Sequence, residues 1–350
     1  MAFTAINKST DFFNTKLWTG NSTTDRAITG VGHQPDMLWI KGRNEGTDHE
    51  VQDSVRGSDK YIRPNLNGNE GTEEEGVKSF DSDGYTLGNA NYWNWSGKTF
   101  VGWSWKAGTT SGLSGGDITP SAYSYNATSG FGIYKYTGTG SQGDIVHGLG
   151  ATPTFVWVKK TNASVDHTIY QHDLTAAKYS ILNTTDGFNS HDGPWGGSAH
   201  AATDTTFTVG DSTNTNASGD TYIAYVFAPK AGFSAGGIYD GNSNIQGPFI
   251  FTGFRPRWLL IHRYGANGNG WNMFDSQRSS SGGTNEVGFQ IQANDAAVED
   301  QATSDSDVDF CCNGFKLRED NNGVNGSSSY IYLAFGQTMV GTNGVPATAR

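Results

Sequence analysis

GVGHQPDMLWIK, residues 30–41, decides the fold, because close copies of it return further along the chain. GLGATPTFVWVK stands at residues 148–159 and TGFRPRWLLIH at residues 252–262. In each copy a glycine lies three residues before a proline, and an apolar run follows the proline. Gly-x-x-Pro is typical of a turn, and a continuous apolar run is typical of a strand covered on both faces. A motif that returns in this way predicts a repeated structural unit.

Other blocks of sequence accompany the three copies in the same order. A glycine lies fifteen residues before each proline, at Gly20, Gly138 and Gly241, and an aromatic residue lies two positions before that glycine. Each copy closes with Asn-x-Ser followed by a strand with alternating apolar residues: NWSGKTFVGWSW, NASGDTYIAYVF and NGSSSYIYLAF. Alternation with period two indicates strands with one buried face, and Asn-x-Ser fits the hairpin turn before the strand. The sequence therefore predicts an all-β fold of three tandem antiparallel β-sandwich repeats, of jelly-roll or concanavalin-like type.

The spacing of the blocks predicts the domain boundaries. We expect β-sandwich repeat 1 with an N-terminal extension at 1–110, repeat 2 at 123–232, repeat 3 at 233–337 and a C-terminal tail at 338–350. The stretch between the first two repeats, 111–122, reads as a flexible Gly/Ser linker. The repeat register also predicts that Trp39, Trp157 and Leu260 occupy one equivalent buried position. A β-propeller fits poorly, because its blades are much shorter than these copies.

Composition excludes several classes of partner. The 350 residues carry a formal net charge of −11, which argues against binding to nucleic acid or to an anionic membrane surface. No apolar stretch approaches a membrane span, and the start MAFTAINKST lacks the features of a signal peptide, so we expect a soluble protein made in a cytoplasm. The two cysteines, Cys311 and Cys312, are adjacent and cannot form a disulfide framework. We therefore expect each domain to be held by its own core.

Motifs that would carry catalysis or bind a cofactor are incomplete in this chain. GTGSQG at 138–143 resembles a dinucleotide loop, but no helix pattern follows it. GLSGG at 112–116 resembles a nucleophile elbow but lies in the predicted linker. The carboxylates of DSDG at 81–84 and DSDVD at 305–309 fit no EF-hand, and a calcium site in such a loop stays open as an alternative to solvated aspartates. We predict no enzymatic activity, no cofactor and no metal.

Several stretches together resemble a known family of phage proteins: MAFTAINKSTDFFNTKLWTGN and ITGVGHQPDMLWIKGRN near the start, HGLGATPTFVWVKK and SGDTYIAYVFA in the middle, and YIYLAFGQTMVGTNGVPATAR at the end. The chain is similar to virion structural proteins of marine tailed bacteriophages, those of pelagic bacteria and cyanobacteria among them. The resemblance implies a tail fibre, an appendage or a capsid decoration, located in the virion and partnered by other capsid or tail proteins. It provides no catalytic residues. By analogy with phage fibres we expect a homo-oligomer, with a trimer favoured, and docking roles for the two chain ends.

Four aromatic residues form the predicted ligand or partner patch. In the turn before the closing strand, copy one has Trp95 where the other copies have Ala217 and Gly326. We therefore expect Tyr92, Trp93 and Trp95 on one exposed loop end, and Trp195 in a second Gly-rich loop. Such a patch fits either a host surface polysaccharide or a neighbouring subunit. The alternative functions are a glycan-active enzyme and a free carbohydrate-binding module with lectin-like domains.

Overall fold

Antiparallel strands make up nearly all of the regular structure. The structure is a computed structural model and describes residues 4–174, 177–197, 201–278, 285–301 and 308–338. Within these ranges a 3₁₀ turn spans Ser9–Asp11, and a short helix, α1, spans Asn91–Asn94. The all-β antiparallel sandwich class expected from the sequence is confirmed.

Unit 1, residues 13–105, consists of a large sheet and a small sheet. Its strands are β1 (Phe13–Thr19), β2 (Arg26–Thr29), β3 (Met37–Gly42), β4 (Glu50–Asp53), β5 (Gly57–Ile62), β6 (Gly71–Thr72), β7 (Val77–Asp81), β8 (Gly84–Leu87) and β9 (Thr99–Trp105). The large sheet has the order β1-β9-β3-β4-β5-β6, and the small sheet has the order β2-β8-β7. The strand that follows Gly-x-x-Pro, β3, therefore lies inside the large sheet, and every one of its residues is buried.

Unit 2, residues 122–227, repeats this plan and adds one edge strand. Its strands are β10 (Ala122–Asn126), β11 (Phe131–Thr137), β12 (Gly143–Val146), β13 (Phe155–Lys160), β14 (Thr168–Gln171), β15 (Lys178–Ile181), β16 (Asn189–Ser190), β17 (Thr206–Val209) and β18 (Thr221–Phe227). The large sheet has the order β10-β11-β18-β13-β14-β15-β16, and the small sheet pairs β12 with β17. The added strand, β10, pairs with β11, which corresponds to β1 of unit 1.

Unit 3, residues 234–338, has the same strand order in its large sheet. Its strands are β19 (Ser234–Asp240), β20 (Phe249–Phe251), β21 (Phe254–Arg263), β22 (Asn272–Asp275), β23 (Glu286–Val287), β24 (Phe289–Gln292), β25 (Asp300–Gln301), β26 (Val308–Cys311), β27 (Gly314–Leu317) and β28 (Ser329–Thr338). The large sheet has the order β19-β28-β21-β22-β24-β25, and the small sheet has the order β20-β27-β26-β23. Pro256 lies inside β21, where the register shifts, because a proline cannot donate to the ladder.

Strand pairing places the repeated apolar residues at equivalent positions. Trp39 lies opposite Trp103 on the closing strand of unit 1, and Trp157 lies opposite Tyr225 in unit 2. Leu260 lies opposite the closing strand of unit 3 in the same way, and Trp39, Trp157 and Leu260 are all buried. The equivalent buried position expected from the repeat register is therefore observed.

The three large sheets share one core. Their outer faces pack against the small sheets in three separate clusters, whereas their inner faces meet in a single cluster. The ring centroids of Trp39 and Trp157 lie 5.4 Å apart, and those of Trp105 and Trp258 lie 5.5 Å apart. The expectation that each domain is held by its own core is therefore wrong for the inner faces. Their apolar side chains are removed from water by the other two units.

The N-terminal segment packs on the chain itself. Ile6 is buried in the shared core, and Ser9 Oγ donates to Gln337 Oε1 of unit 3 over 2.8 Å. The ring of Phe13 stacks on that of Phe335 at 5.4 Å. Residues 4–12 therefore bridge units 1 and 3, and docking of this end to other proteins stays a prediction. The predicted C-terminal tail lies outside the described residues from position 339 onward.

The segment predicted as a flexible linker packs on unit 2. Ile118 is buried in the outer core of that unit, and Leu113 packs against the same cluster. The backbone N–H groups of Asp117 and Ile118 donate to Asp144 O of β12 over 2.9 and 3.1 Å. The expectation of a free linker at 111–122 is therefore wrong, because its two aliphatic side chains are used in packing.

Candidate functional site

Trp93 of the predicted patch is buried, with 2 % of its surface exposed. Helix α1 turns the indole inward, where its ring lies 5.7 Å from the ring of Tyr61. Trp18 Nε1 donates to the backbone carbonyl of Trp93 over 3.1 Å, which fixes this turn against the large sheet. The expectation that Trp93 is accessible to a ligand is therefore wrong, because the side chain belongs to the outer core of unit 1.

Trp195 is also buried, with no exposed surface. Its ring lies 5.5 Å from the ring of Tyr170 in the outer core of unit 2. Gly196 and Gly197 follow it with φ of +81° and +67°, a conformation that lets the loop fold back over the indole. The Gly-rich loop therefore inserts Trp195 between the two sheets, and the expectation of a second exposed aromatic residue is wrong.

Tyr92 and Trp95 remain at the surface, with 36 % and 37 % exposure. The guanidinium carbon of Arg63 lies 4.8 Å from the ring centre of Tyr92, and Lys98 Nζ lies 5.3 Å from that of Trp95. Lys98 also forms a 2.5 Å ion pair with Glu45. A cation of the chain therefore already occupies one face of each exposed ring.

The Asn-x-Ser turn is held by a buried asparagine in each unit. Asn216 has no exposed surface, and its Nδ2 donates to Ser141 O and Gly210 O over 2.7 Å each. Asn94 and Asn325 are equally buried. A Cβ on the repeated glycine Gly138 would lie 2.2 Å from a carbonyl oxygen of this turn. These contacts explain why Asn-x-Ser and the distant glycine recur together.

Buried histidines join neighbouring units. His49 of unit 1 accepts a 2.8 Å hydrogen bond from Trp39 Nε1 at Nδ1, and its Nε2 lies 3.0 Å from Gln292 O of unit 3. In unit 2, His167 Nε2 lies 3.0 Å from Leu66 O of unit 1. Each ring therefore takes the neutral tautomer that accepts at Nδ1 and donates at Nε2.

Unit 3 contacts unit 2 through a histidine at a different position of the repeat, so each unit is joined to another by one histidine. His262 Nε2 lies 3.0 Å from Asp186 O of unit 2, and the His262 ring stacks on Trp271 at 3.9 Å. Burial lowers the pKa of His49 to about 3 and the pKa of His262 to about 4. Burial also lowers the pKa of His167 well below its usual value. All three imidazoles are neutral at pH 7, and each binds a carbonyl of another unit.

Buried ion pairs lie at two of the three joints. Arg56 Nε binds Asp53 Oδ2 at 2.5 Å, and Tyr225 of unit 2 donates its hydroxyl to the same oxygen over 2.7 Å. In unit 3, Arg278 pairs with Asp275, and Trp103 Nε1 of unit 1 donates to Asp275 Oδ2 over 2.9 Å. In each ion pair the aspartate therefore also accepts a hydrogen bond from a side chain of a neighbouring unit.

The third joint lacks this ion pair. Gln171 and Leu174 of unit 2 occupy the positions of the aspartate and arginine, and Gln171 Oε1 accepts the Leu174 N–H over 3.2 Å. Leu333 of unit 3 stands at the position of the donors Trp103 and Tyr225. Leu333 cannot donate a hydrogen bond to a buried carboxylate. The uncharged residues Gln171 and Leu174 therefore suit this apolar neighbour.

Two buried lysines, like the buried histidines, donate hydrogen bonds to backbone carbonyls. Lys41 Nζ donates to Gly42 O over 2.9 Å and to Ala296 O of unit 3 over 3.1 Å. Lys159 Nζ donates to Val165 O over 2.9 Å. Burial lowers the pKa of each lysine to about 8. Their ammonium groups are enclosed by backbone carbonyls, so these pKa shifts do not mark a reactive amine at an opening.

The aspartates considered for calcium have partners in the chain. Asp83 accepts the N–H groups of Gly30 and Gly32 over 3.0 and 2.7 Å, and these bonds lower its pKa. Asp81 accepts the hydroxyls of Ser79 and Thr86. Positions 305–307 of the second candidate loop lie outside the described residues. Within the described ranges, no three His, Cys, Asp or Glu side chains form a group that could hold a metal ion.

A second aromatic surface lies on unit 3. Phe249 and Phe251 on β20 are 45 % and 63 % exposed, and Ile250 between them is buried. We name this pair the Phe face. Sequence reasoning missed it, although the alternation in PFIF at 248–251 was a signal for two phenylalanines on the same side of a strand.

The fold and these surfaces define an all-β protein with three sandwich units around a shared core, joined by buried polar side chains. The chain belongs to the DUF7483 family, a domain of unknown function, whose model matches residues 8–338. No curated protein and no solved structure matches the chain. One family model thus spans all three units. None of the described helices is long and apolar enough to cross a membrane.

Proposed function

We propose that this chain is a non-enzymatic structural protein of a bacteriophage virion, a tail fibre or appendage or a capsid decoration. The observation that carries the proposal is the use of its buried ionisable groups. In enzymes, groups with strongly shifted pKa values cluster beside a cleft. Here His49, His167 and His262 have lowered pKa values and bind backbone carbonyls of neighbouring units instead. Such joints favour a rigid assembly component.

The virion location rests on the sequence resemblance described above. Its partners are other capsid or tail proteins, and the protein acts as a homo-oligomer, with a trimer favoured by analogy with phage fibres. Light scattering at micromolar concentration tests this state, and a monomer mass there counts against it. The N-terminal segment gives this state no support, because residues 4–12 pack within the chain.

Tyr92 and Trp95 are the residues proposed to contact a polysaccharide on the host surface. Flat aromatic rings fit the apolar faces of sugars, and Arg63 and Lys98 beside them can donate to hydroxyl or acidic groups of a surface polysaccharide. Replacing Tyr92 and Trp95 with alanine should weaken binding of particles to host cells. The matched control is Leu66→Ala, which removes another exposed apolar side chain on unit 1.

Quantitative mass spectrometry of purified phage particles tests the proposal. The protein should be a stoichiometric component, with a few tens of copies indicating fibres and hundreds indicating a shell. Its absence from particles would contradict the virion role and favour a free carbohydrate-binding module. Release of reducing sugars from marine polysaccharides by the purified chain would contradict the non-enzymatic role and favour a glycan-active enzyme.

A further inference from the structure

We propose that the free edge of β20, together with the Phe face, docks an extended, uncharged peptide strand of a partner protein. The inference rests on the proposed virion function only for where that partner comes from. The first small-sheet strands of the three units, β2, β12 and β20, are equivalent. Their outer edges can therefore be compared with and without a peptide segment bound.

The exposed positions of the first small-sheet strand differ among the units. Each strand has a buried isoleucine, namely Ile28, Ile145 and Ile250. In unit 1 the flanking residues are Ala27 and Thr29, which present little apolar surface. In unit 2 they are Asp144 and Val146, both half-buried. Only in unit 3 are both flanking residues phenylalanines that point to solvent.

Unit 2 shows the occupied form of this site. Strand β12 pairs with β17 on one side, and a bent segment of the chain, residues 116–118, contacts its other edge at Asp144. The N–H groups of Asp117 and Ile118 donate to Asp144 O, and the Asp144 N–H donates back to Asp117 Oδ2 over 3.1 Å. Ile118 is buried by this contact. The edge of this strand therefore accepts backbone hydrogen bonds from a peptide segment that buries an aliphatic side chain.

In unit 3 the same edge is open. Strand β20 pairs with β27, and within the described part of the chain no other segment hydrogen-bonds to it. Unpaired backbone groups at a sheet edge are a template for strand addition, and natural proteins usually protect such an edge with charge or cover. Here two exposed aromatic side chains stand in place of a protecting charge.

Size and charge point to a single strand as the occupant. With 45 % and 63 % exposure, the two rings offer roughly 160–270 Å². A stable globular interface needs about 800 Å² from each partner, so this surface alone is too small for a second copy of the chain. Lys316, which lies opposite Phe249, donates its Nζ to Gly247 O over 2.7 Å, and Asp309 on β26 pairs with Arg318. An uncharged apolar strand complements such a surface.

The test uses the full chain and a fluorescein-labelled peptide with the sequence of residues 109–120, the segment that contacts the edge in unit 2, in which Asp117 is replaced by Asn so that its side chains are uncharged. Fluorescence anisotropy should show saturable binding to the full chain. The variant Phe249→Ala/Phe251→Thr, which copies the residues of unit 1, should bind at least tenfold more weakly. Because both side chains are exposed, the variant should melt at nearly the same temperature as the parent chain. Hydrogen exchange should show protection of β20 amides when the peptide is bound.

Two results would overturn the inference directly. One is an absence of saturable binding up to millimolar peptide, and the other is equal affinity of the peptide for the variant and for the parent chain. Binding that occurs only when the chain is shortened to end at Thr338 would assign the edge to the chain's own C-terminal segment. A dimer that dissociates in the variant would assign it to a second copy. None of these outcomes depends on virions, so failure here and failure of the virion proposal are distinguishable.

Discussion

Removing one hydroxyl at the joint of units 1 and 2 should weaken both units. The change is Tyr225→Phe, which deletes a single buried oxygen and keeps the ring in the shared core. The hydroxyl donates to Asp53 Oδ2 over 2.7 Å and accepts from Arg56 Nη2 over 3.1 Å. Both bonds cross from unit 2 to the buried ion pair of unit 1. The substitution therefore tests whether the units depend on each other.

The expected loss follows from the partners of the hydroxyl. A hydrogen bond to a charged group contributes about 1.5–3 kcal/mol to stability. Asp53 and Arg56 keep their own ion pair, so the larger cost of an isolated buried charge does not arise. The control is Tyr222→Phe, whose hydroxyl donates to Thr213 O over 2.9 Å and accepts from Ala217 N over 2.8 Å, both within unit 2. A bond between uncharged groups contributes about 0.5–1.5 kcal/mol.

Urea unfolding measures both losses, and hydrogen exchange locates them. After Tyr225→Phe, the N–H groups of Val55 and Arg56, which donate to Asp53 Oδ1 over 3.0 and 2.8 Å, should exchange faster although the change lies in unit 2. The reasoning is refuted if Tyr225→Phe costs no more than the control, or if the amides that respond all belong to unit 2.

Three further predictions follow from side-chain burial. Trp93→Ala should lower the free energy of unfolding by about 3–5 kcal/mol, whereas Trp95→Ala should change it by about 0.5 kcal/mol or less, as thermal melts will show. Gly138→Ala should cost about 1–3 kcal/mol, because its Cβ would meet Ala217 O at 2.2 Å, and an unchanged melting temperature would contradict this contact. Because burial lowers the pKa of His49 to about 3, the unfolded chain binds this proton first as the pH falls below about 6.5, and stability is lost. The stability advantage of the parent chain over His49→Gln should shrink by about 2 kcal/mol between pH 7 and pH 5, and a constant difference would contradict a neutral buried ring.

The repeat was predictable from sequence because it rests on local rules. Gly-x-x-Pro, the apolar run and the alternating closing strand each specify a turn or a strand within a few residues. The equivalent burial of Trp39, Trp157 and Leu260 follows from that register. The shared core was not predictable in the same way. A run such as MLWIK indicates that both faces of a strand are covered, but not which surfaces cover them.

The prediction of the aromatic patch was wrong for Trp93 because residues adjacent in sequence were assumed to lie together on the surface. Trp95 is exposed, but Trp93 is buried although Tyr92, the residue directly before it in α1, is exposed. The repeat itself held a signal, because the counterparts of Trp93 are Thr215 and Val324, and both are fully buried. For Trp195 no such signal exists, because its loop has no counterpart in the other copies.

The joints between units could have been found from spacing. A histidine lies ten residues after the central tryptophan in units 1 and 2, as Trp39 with His49 and Trp157 with His167, and each pair is hydrogen-bonded. That repeated pair indicates a structural contact on adjacent strands. The partner of the histidine in the next unit could not be inferred, because it is a backbone carbonyl that any sequence supplies.

Differential scanning calorimetry of the full chain tests most directly whether the three units form one cooperative body. If the shared core and the joints of His49, His167 and His262 unite them, the chain unfolds in one transition, and the calorimetric enthalpy equals the van't Hoff enthalpy. Three independent sandwiches would instead give a calorimetric enthalpy about three times the van't Hoff value, or separate transitions. Either of these results would contradict the account of a single body held together by its buried side chains.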